Sequence, residues 1–449
     1  MNKTISVNIQ TQEWKYSPEY YRLSTEILDT ALHEVEFFRS WQSFDPGKQF
    51  PVDARYHALP ALTKKDIREH FPRGLLPAGC DLEAALAAGK IHLVETSGTT
   101  DDKVTNIWNQ EWWDASERAS WRLNSQMSRI ATGEHREAIL VNPRNVGLIS
   151  DDHDLPMEKR RLARFLYLNE KTDPLVWSTD LMSRMIEEIN IFQPAVLEAN
   201  PSYLARLCRF ISSTRQPVFQ PGMIVFTYEY PTHFHIRQVK QVFTSPVVSS
   251  YGTTETGYVF IQCEAGNLHQ NSEYCRVDFE PLQTEHGGPV LGRILVTPLR
   301  NPWSYLMRFD TGDLVSLKPD GQCPCGRNSG LILSSVDGRE TNLTQTCSGR
   351  LVSLHELDNA VSILEGAAEY QLFQVNQETY ELHLVSSRKD TAILKEQAEK
   401  TLKKVYGRKA RIDVIFENDI VPESSGKYQV SRALFPIDLE KYLDKKRPQ

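Results

Sequence analysis

The sequence predicts an α/β protein, with a large N-terminal domain of mixed and parallel sheets and helices, a β-rich part towards its end, and a small α+β C-terminal domain. Three observations lead there. Helical and strand-like segments alternate between about residues 180 and 250, as in βαβ units around a parallel sheet. After about residue 275 short strands between turns take over. From about residue 340 a compact end mixes helices and strands, so the Gly338–Arg339 turn divides 1–338 from 339–449.

Element by element, residues 1–90 read as mostly helical, with apolar residues at helical spacing over Ser24–Ser40. Thr63–His70 is a capped helix, with Thr63 as cap and Asp66 three residues on. Ile91–Val94 reads as a strand and Glu111–Ile130 as one helix. Strand Ala138–Val141 precedes the alternating run. That run comprises helix Asp180–Ile191, strand Pro194–Glu198, helix Pro201–Thr214, strand Met223–Thr227, helix Thr232–Phe243 and strand Val247–Ser250. Strands follow at Gly292–Thr297, Leu314–Lys318 and Gly330–Ser335. The C-terminal end has helices near Ser353–Leu364 and Ala392–Tyr406, and strands near Tyr380–Val385 and Arg411–Phe416.

Bulk properties exclude several classes. A chain of 449 residues is too long for one ordinary core. A formal charge of -7 argues against a nucleic-acid partner. No apolar run approaches the roughly 20 residues of a membrane span, and no apolar core follows Lys3 as in a signal peptide. A cytoplasmic protein is expected. Seven cysteines in such a chain make no disulfide framework.

Four segments suggest chemistry. VETSGTTDDK (Val94–Lys103) gathers Thr96, Ser97, Gly98, Thr99 and Thr100 after a strand and ends in Lys103. Backbone N–H groups and hydroxyls so arranged suit phosphate oxygens, although an ordinary Ser/Thr/Gly turn reads the same. YGTTE (Tyr251–Glu255) stands at the carboxyl end of a strand, where open α/β sheets bind ligands. Its Glu255 is a candidate Mg²⁺ ligand or a solvated carboxylate. FDTGDL (Phe309–Leu314) places Asp310 and Asp313 around a tight turn at Gly312, either to bind vicinal hydroxyls or merely to turn the chain. PESSGK (Pro422–Lys427) is a flexible loop ending in a lysine.

In this order the four resemble the adenylate-forming acyl ligase superfamily, and more narrowly its phenylacetate–CoA ligase branch. LPALTKKDIREHF (Leu59–Phe71), PSYLARL (Pro201–Leu207), CEAGNLHQNSEYCRVDFEP (Cys263–Pro281), GRILVTPL, LMRFDTGD and CPCGR (Cys323–Arg327) point the same way. The resemblance covers nearly the whole chain except about residues 143–180. It implies ATP-dependent activation of an aromatic or short carboxylic acid to an acyl-adenylate, then transfer to a thiol. Coenzyme A is the implied acceptor, with a carrier-protein phosphopantetheine or an amine as alternatives; a non-catalytic nucleotide-binding scaffold is the remaining one. An acyl or peptidyl carrier protein is thus a candidate partner, and a homodimer is open.

By the same resemblance, Thr96–Thr100 and Lys103 cradle the ATP phosphates. Thr227, Tyr228 and Glu229 line the adenine, where relatives have Gly-Ala-Glu. Tyr251, Gly252, Thr253 and Thr254 border adenine and the acyl carboxylate, Glu255 holds Mg²⁺, and Asp313 binds the ribose with Arg339 nearby. Lys427 reaches the forming acyl phosphate from a mobile C-terminal domain.

Cys263-x5-His269 and Cys323-x-Cys325 supply three thiols and an imidazole, a structural Zn²⁺ set within the β-rich part at about 260–338. By spacing alone they could equally be inert reduced cysteines; relatives keep both pairs, which favours zinc, with Cys275 as reserve ligand. The chain departs from its relatives at Asp101 and Asp102, where a Gly is usual, and at Phe309, where Tyr is usual. It also lacks an acidic pair after Gly338–Arg339. Asn142–Phe165 is polar and charged where relatives have a Gly-rich apolar segment that shapes the acyl pocket, so a more polar substrate or a loop without a pocket role is expected.

Overall fold

The computed structural model describes residues 14–95, 104–130, 134–386, 391–423 and 426–445. In chain order the first segment is helical: α1 (Pro18–Glu34), α2 (Val52–Ala58), α3 (Lys64–His70) and α4 (Leu82–Ala87). The hairpin β1 (His92–Glu95) and β2 (Thr105–Trp108) follows, then α5 (Gln110–Trp121) and α6 (Ser125–Ile130). The next run is β3 (Glu137–Leu140), α7 (Met157–Arg160), β4 (Arg161–Leu162), β5 (Phe165–Tyr167), α8 (Thr179–Phe192), β6 (Val196–Ala199), α9 (Pro201–Thr214), β7 (Met223–Phe226), α10 (His233–Val242) and β8 (Val247–Thr253). Six strands then succeed one another: β9 (Gly257–Gln262), β10 (Leu268–Gln270), β11 (Cys275–Pro281), β12 (Leu291–Pro298), β13 (Phe309–Leu317) and β14 (Ile332–Arg339). The chain ends with β15 (Thr344–Gln345), β16 (Leu351–Val352), α11 (Leu354–Val361), β17 (Ala367–Asn376), β18 (Thr379–Ser386), α12 (Ala392–Tyr406), β19 (Arg411–Glu417) and β20 (Ser431–Ala433).

Two compact units result: Met1–Ser128 with Tyr251–Ser335 and Tyr442–Gln449, and Arg129–Ser250 with Val336–Lys441. In the first, antiparallel strands run in the order β11-β12-β13-β14-β10-β9. A helical core of Leu28, Leu32, Phe38, Trp41, Tyr56 and Leu62 packs with Met307 and Phe309. In the second, β8, β7, β6, β3 and β5 pair in parallel, with β4 antiparallel at the edge. Every residue of β3, β6 and β7 is buried, as expected of a parallel sheet covered by crossover helices. On one face Ala138, Leu140, Leu197, Ala199, Ile224 and Phe226 meet the apolar stripes of α8, α9 and α10. The C-terminal strands form their own sheet, β19-β18-β17-β20, covered by α11 and α12. Phe234 of α10 enters that core, which joins Val336–Lys441 to Arg129–Ser250.

Three sequence expectations are revised. The helix expected over Ser24–Ser40 begins at Pro18, because the Ser17 hydroxyl caps Tyr20 N–H, and it stops at Val35, which is buried and extended. A 3₁₀ turn, Phe37–Ser43, replaces its second half. The helix expected over Glu111–Ile130 is broken at Arg122–Asn124, where Asn124 Oδ1 accepts the Gln126 and Met127 N–H groups and starts α6 afresh. FDTGDL is a bulge within β13 rather than a turn between strands. Asp310 faces Leu295 and Leu314 faces Arg293, so four residues of β13 advance over two of β12, with Gly312 at φ +72° absorbing the excess. The capped helix at Thr63 has the expected geometry, with Thr63 and Asp66 bonding each other's backbone N–H.

Candidate functional site

The phosphate-loop residues Thr96, Ser97, Gly98, Thr99, Thr100 and Lys103, with Asp101 and Asp102, lie outside the described residues. Its flanks, β1 and β2, pair in antiparallel register from His92↔Trp108 to Glu95↔Thr105.

In the first unit YGTTE occupies the end of β8 and the turn into β9. Thr253 Oγ1 meets Thr256 Oγ1 at 2.9 Å and accepts the Thr256 N–H, tightening the turn around Thr254 and Glu255. A Cβ on Gly252 would fall on the Gly257 carbonyl, so only glycine permits this close return. The Glu255 residue is 6% exposed. The β13 bulge lies close by, because the Tyr251 hydroxyl donates to Asp313 Oδ2 at 2.7 Å and lies 3.3 Å from Thr311 Oγ1. Two sequence-predicted residues, Tyr251 and Asp313, are thereby in direct contact.

An alternating chain of charges supports that bulge. Asp53, Arg276, Asp278, Arg308, Glu280, Arg293 and Asp310 follow one another at separations of 2.7, 2.8, 3.5, 2.7, 2.7 and 3.1 Å. Arg276, Asp278 and Arg308 are buried. Burial raises the Asp310 carboxyl and Arg293 draws it back down. Little in the sequence announces this ladder beyond charged residues in strands that otherwise read as apolar.

In the second unit three loops leave the carboxyl ends of adjacent parallel strands: Asn142 after β3, Asn200 after β6, and Thr227–Glu229 after β7. Tyr228 adopts φ +73°, in the left-handed region that bulky non-glycine residues rarely occupy. Its hydroxyl donates to Glu198 Oε1 at 2.6 Å. Burial raises both Glu198 and its neighbour Glu137, and Arg164, 3.2 Å from Glu137, pulls the latter back. Glu229 accepts the Ser202 N–H at 3.0 Å and the Tyr428 N–H at 3.3 Å. Burial raises its carboxyl, and these bonds oppose that rise. Glu229 is thus beside Lys427, a proximity that 198 residues of separation hide in the sequence. Arg339 ends β14, its N–H donating to Asn342 Oδ1 at 3.2 Å.

Buried charges tie the polar segment Asn142–Phe165 to the chain that follows it. Lys171 donates to the carbonyls of Ser150 and His153 at 2.9 Å and pairs with Asp154 at 3.0 Å. Arg160, fully buried, pairs with Glu188 and donates to the carbonyls of Leu155 and Tyr167. These groups hold the loop in place of the apolar packing that a Gly-rich segment would use.

A separate cluster forms at one end of the antiparallel sheet. Cys263 follows β9, His269 lies in β10, and Cys323 and Cys325 lie between β13 and β14. One ligand atom from each lies within 4.8 Å of all the others. Cys263 Sγ and Cys323 Sγ are 3.6 Å apart, and Cys325 Sγ and His269 Nε2 are 3.4 Å apart. Tetrahedral Zn²⁺ bound at about 2.3 Å to sulfur and about 2.0 Å to nitrogen requires such separations. Each Cys pair member sits on a tight turn, with Gly266 N–H on the Cys263 carbonyl and Gly326 N–H on the Cys323 carbonyl. The donor set and spacing fit a closed zinc centre. Cys275 is not part of it; buried in β11, its thiol points to the Asn271 carbonyl at 3.3 Å.

The sequence matches no family model and no curated protein. Among solved structures, the chain is similar to a 2-hydroxyisobutyryl-CoA ligase in its postadenylation state with an acyl-AMP. The TM-score is 0.67 at 16% identity, over 93% of this chain and 88% of that one. It is similar also to the anthranilate CoA ligase AuaEII with anthranoyl-AMP, with TM-score 0.52 and 13% identity over 76% and 66% of the two chains. The amide bond synthetase McbA from Marinactinospora thermotolerans gives TM-score 0.50 and 13% identity over 76% and 68%. The chain has the fold of the adenylate-forming ligases.

Proposed function

We propose that this chain is an ATP-dependent ligase that converts a carboxylic acid to its acyl-adenylate and passes the acyl group to a thiol, that of coenzyme A. One observation supports this reading above others: the chain shares its fold over 93% of its length with a 2-hydroxyisobutyryl-CoA ligase bound to an acyl-AMP, and its sequence carries Glu255, Asp313 and Lys427 within the YGTTE, FDTGDL and PESSGK motifs. In the reaction a carboxylate oxygen attacks the α-phosphorus of ATP in line, the new P–O bond forms, and pyrophosphate leaves. The acid is already ionised at neutral pH, so no general base is needed. The protein's task is to hold two anions together and offset charge on the transferring phosphoryl group.

In this assignment Thr96–Thr100 and Lys103 receive the phosphates, and Asp313, held by Tyr251, takes the ribose hydroxyls. Thr227–Glu229 and Tyr251–Thr254 border the adenine and the acyl carboxylate. Glu255 would hold Mg²⁺, which supplies charge neutralisation at the phosphates. Lys427, on residues 339–449 acting as a mobile domain, meets the transition state. Cys263, His269, Cys323 and Cys325 would hold a structural zinc. Among the described residues no helix is long and apolar enough to cross a membrane.

The test is pyrophosphate release with ATP and acetate, 2-hydroxyisobutyrate, benzoate, anthranilate or phenylacetate, each with and without coenzyme A. Release stimulated by at least one acid, and thioester formation when coenzyme A is added, is the expected result. Release without thioester points to a carrier thiol or an amine as acceptor. Lys427→Ala should lower acid-dependent pyrophosphate exchange by about 100-fold or more, the scale of losing one preorganised charge in a transition state, with ATP binding kept. Near-normal exchange in that variant would sink the assignment.

A further inference from the structure

The backbone around Lys427 is held on both sides by side chains that lie far away in sequence. The Gly426 carbonyl accepts the Tyr203 hydroxyl at 3.2 Å, and the Tyr428 N–H donates to Glu229 Oε2 at 3.3 Å. The direction of the first bond follows from a donor count. Asn142 Nδ2 has two hydrogens, one on the Thr172 carbonyl and one on the Tyr203 oxygen, each at 3.0 Å. Tyr203 therefore accepts from Asn142 and keeps its single proton for Gly426. Tyr203 is fully buried, with Trp177 edge-on to its ring at 5.3 Å, so the hydroxyl cannot swing away.

Gly426 completes the fit. It is buried at φ +77°, and a Cβ there would fall on the Asn142 amide and the Tyr203 hydroxyl. Lys427 itself accepts the Glu423 N–H at 2.9 Å, and Gly426 N–H returns to the Glu423 carbonyl at 2.8 Å. The carbonyl of the peptide before Lys427, and both the carbonyl and the N–H of the peptide after it, are bonded. The clamping side chains come from the carboxyl ends of β3 and β7 and the first turn of α9, where open α/β sheets receive ligands.

We infer that Tyr203 and Glu229 are positioning residues for Lys427, fixing its backbone so that its ammonium is presented at the carboxyl ends of the parallel strands during adenylation. This rests on the reading of Lys427 proposed above. Asn142 orients Tyr203, and Ser202 N–H holds the other oxygen of Glu229. Tyr203 need not touch a reactant to act this way, whereas Glu229 would serve both the clamp and the adenine border assigned above.

Both half-reactions are measured in the full-length protein, with whichever acid of the panel releases most pyrophosphate. Tyr203→Phe and Glu229→Gln keep size and burial and remove one bond each. Each should lower kcat for pyrophosphate exchange about tenfold, the scale of one hydrogen bond of about 1.4 kcal/mol, and Tyr203→Phe, which lies outside the residues assigned to ATP, should keep KM for ATP within about twofold. Thioester formation from chemically supplied acyl-adenylate and coenzyme A should be unchanged in Tyr203→Phe, since that step does not call on Lys427. Tyr203→Phe combined with Lys427→Ala should be no slower in exchange than Lys427→Ala alone. Additive losses in the double variant, or equal losses in both half-reactions, would overturn the inference. If Lys427→Ala itself exchanges normally, the lysine assignment fails first; if Lys427→Ala is impaired and Tyr203→Phe and Glu229→Gln are not, only the clamp fails.

Discussion

Single side chains in this protein are decided by what surrounds them. Glu198 reads in the sequence as the last residue of a strand, but in the fold it is buried beside Glu137 with the Tyr228 hydroxyl upon it. Burial, and for Glu198 also the charge of Glu137, places both carboxyls above the ordinary glutamate range. An acid raised in the folded state gives stability that is fully present below its unfolded value of about 4.3 and is lost as pH rises through the folded value. The thermal midpoint should therefore fall from pH 5 towards pH 8.5, with each unit of displacement worth about 1.4 kcal/mol. Glu198→Gln should flatten that fall, which scanning calorimetry across the pH range will show; an unchanged slope would remove the pair from the account. Lys171 makes the same point, because its ammonium among loop carbonyls gives a structural use to charges that the sequence could only mark as unusual.

Elements were legible where hydrophobic period and caps agreed. The run from α8 to β8 lies close to its predicted bounds, since buried parallel strands are short apolar runs and their helices start at Ser178, Asn200 and Thr232 caps. Strand β17 was missed: buried and half-buried residues alternate along it as AAEYQLFQVN, but its glutamines and glutamate make the apolar pattern weak. The FDTGDL bulge was missed because Asp-x-Gly signals a turn whether or not a partner strand continues beside it. The two cysteine turns are a case where spacing became geometry only when β9, β10 and β14 paired. The purified protein should contain about one zinc per chain by plasma mass spectrometry. Cys325→Ser should lose the metal and lower the thermal midpoint, as removal of a closed structural site does. A zinc-free wild type with the stability of Cys325→Ser would refute the metal centre.

At the scale of the whole molecule, the C-terminal sheet is tied to the parallel-sheet segment by Phe234 in its core and by ion pairs Arg209–Glu369 and Arg206–Asp419. Glu369 is buried in β17, so Glu369→Gln leaves Arg209 without its carboxylate. Hydrogen exchange should then quicken in β17, β20 and α9, while the antiparallel strands β11–β13 keep their protection. Quickening spread evenly over the chain would show that this pair stabilises no particular unit. The sequence-predicted residues fall by unit as well: Tyr251, Glu255 and Asp313 belong to one, and Glu229 and Lys427, with Tyr203, to the other.

By itself the sequence determined the α/β class, the order of the alternating elements, the four motifs and the four members of the Cys/His cluster. Each depends on local pattern or on the identity of a few residues, which the chain displays directly. Only the tertiary structure decided that Tyr251 holds Asp313, that a ladder of seven charges backs the bulge before it, and that Tyr203 and Glu229 grip the backbone on either side of Lys427. The bonds of Tyr251, Glu229 and Tyr203 join residues 62, 199 and 223 positions apart, and the energies of all these contacts arise from burial and hydrogen-bond geometry that exist only once the strands have paired.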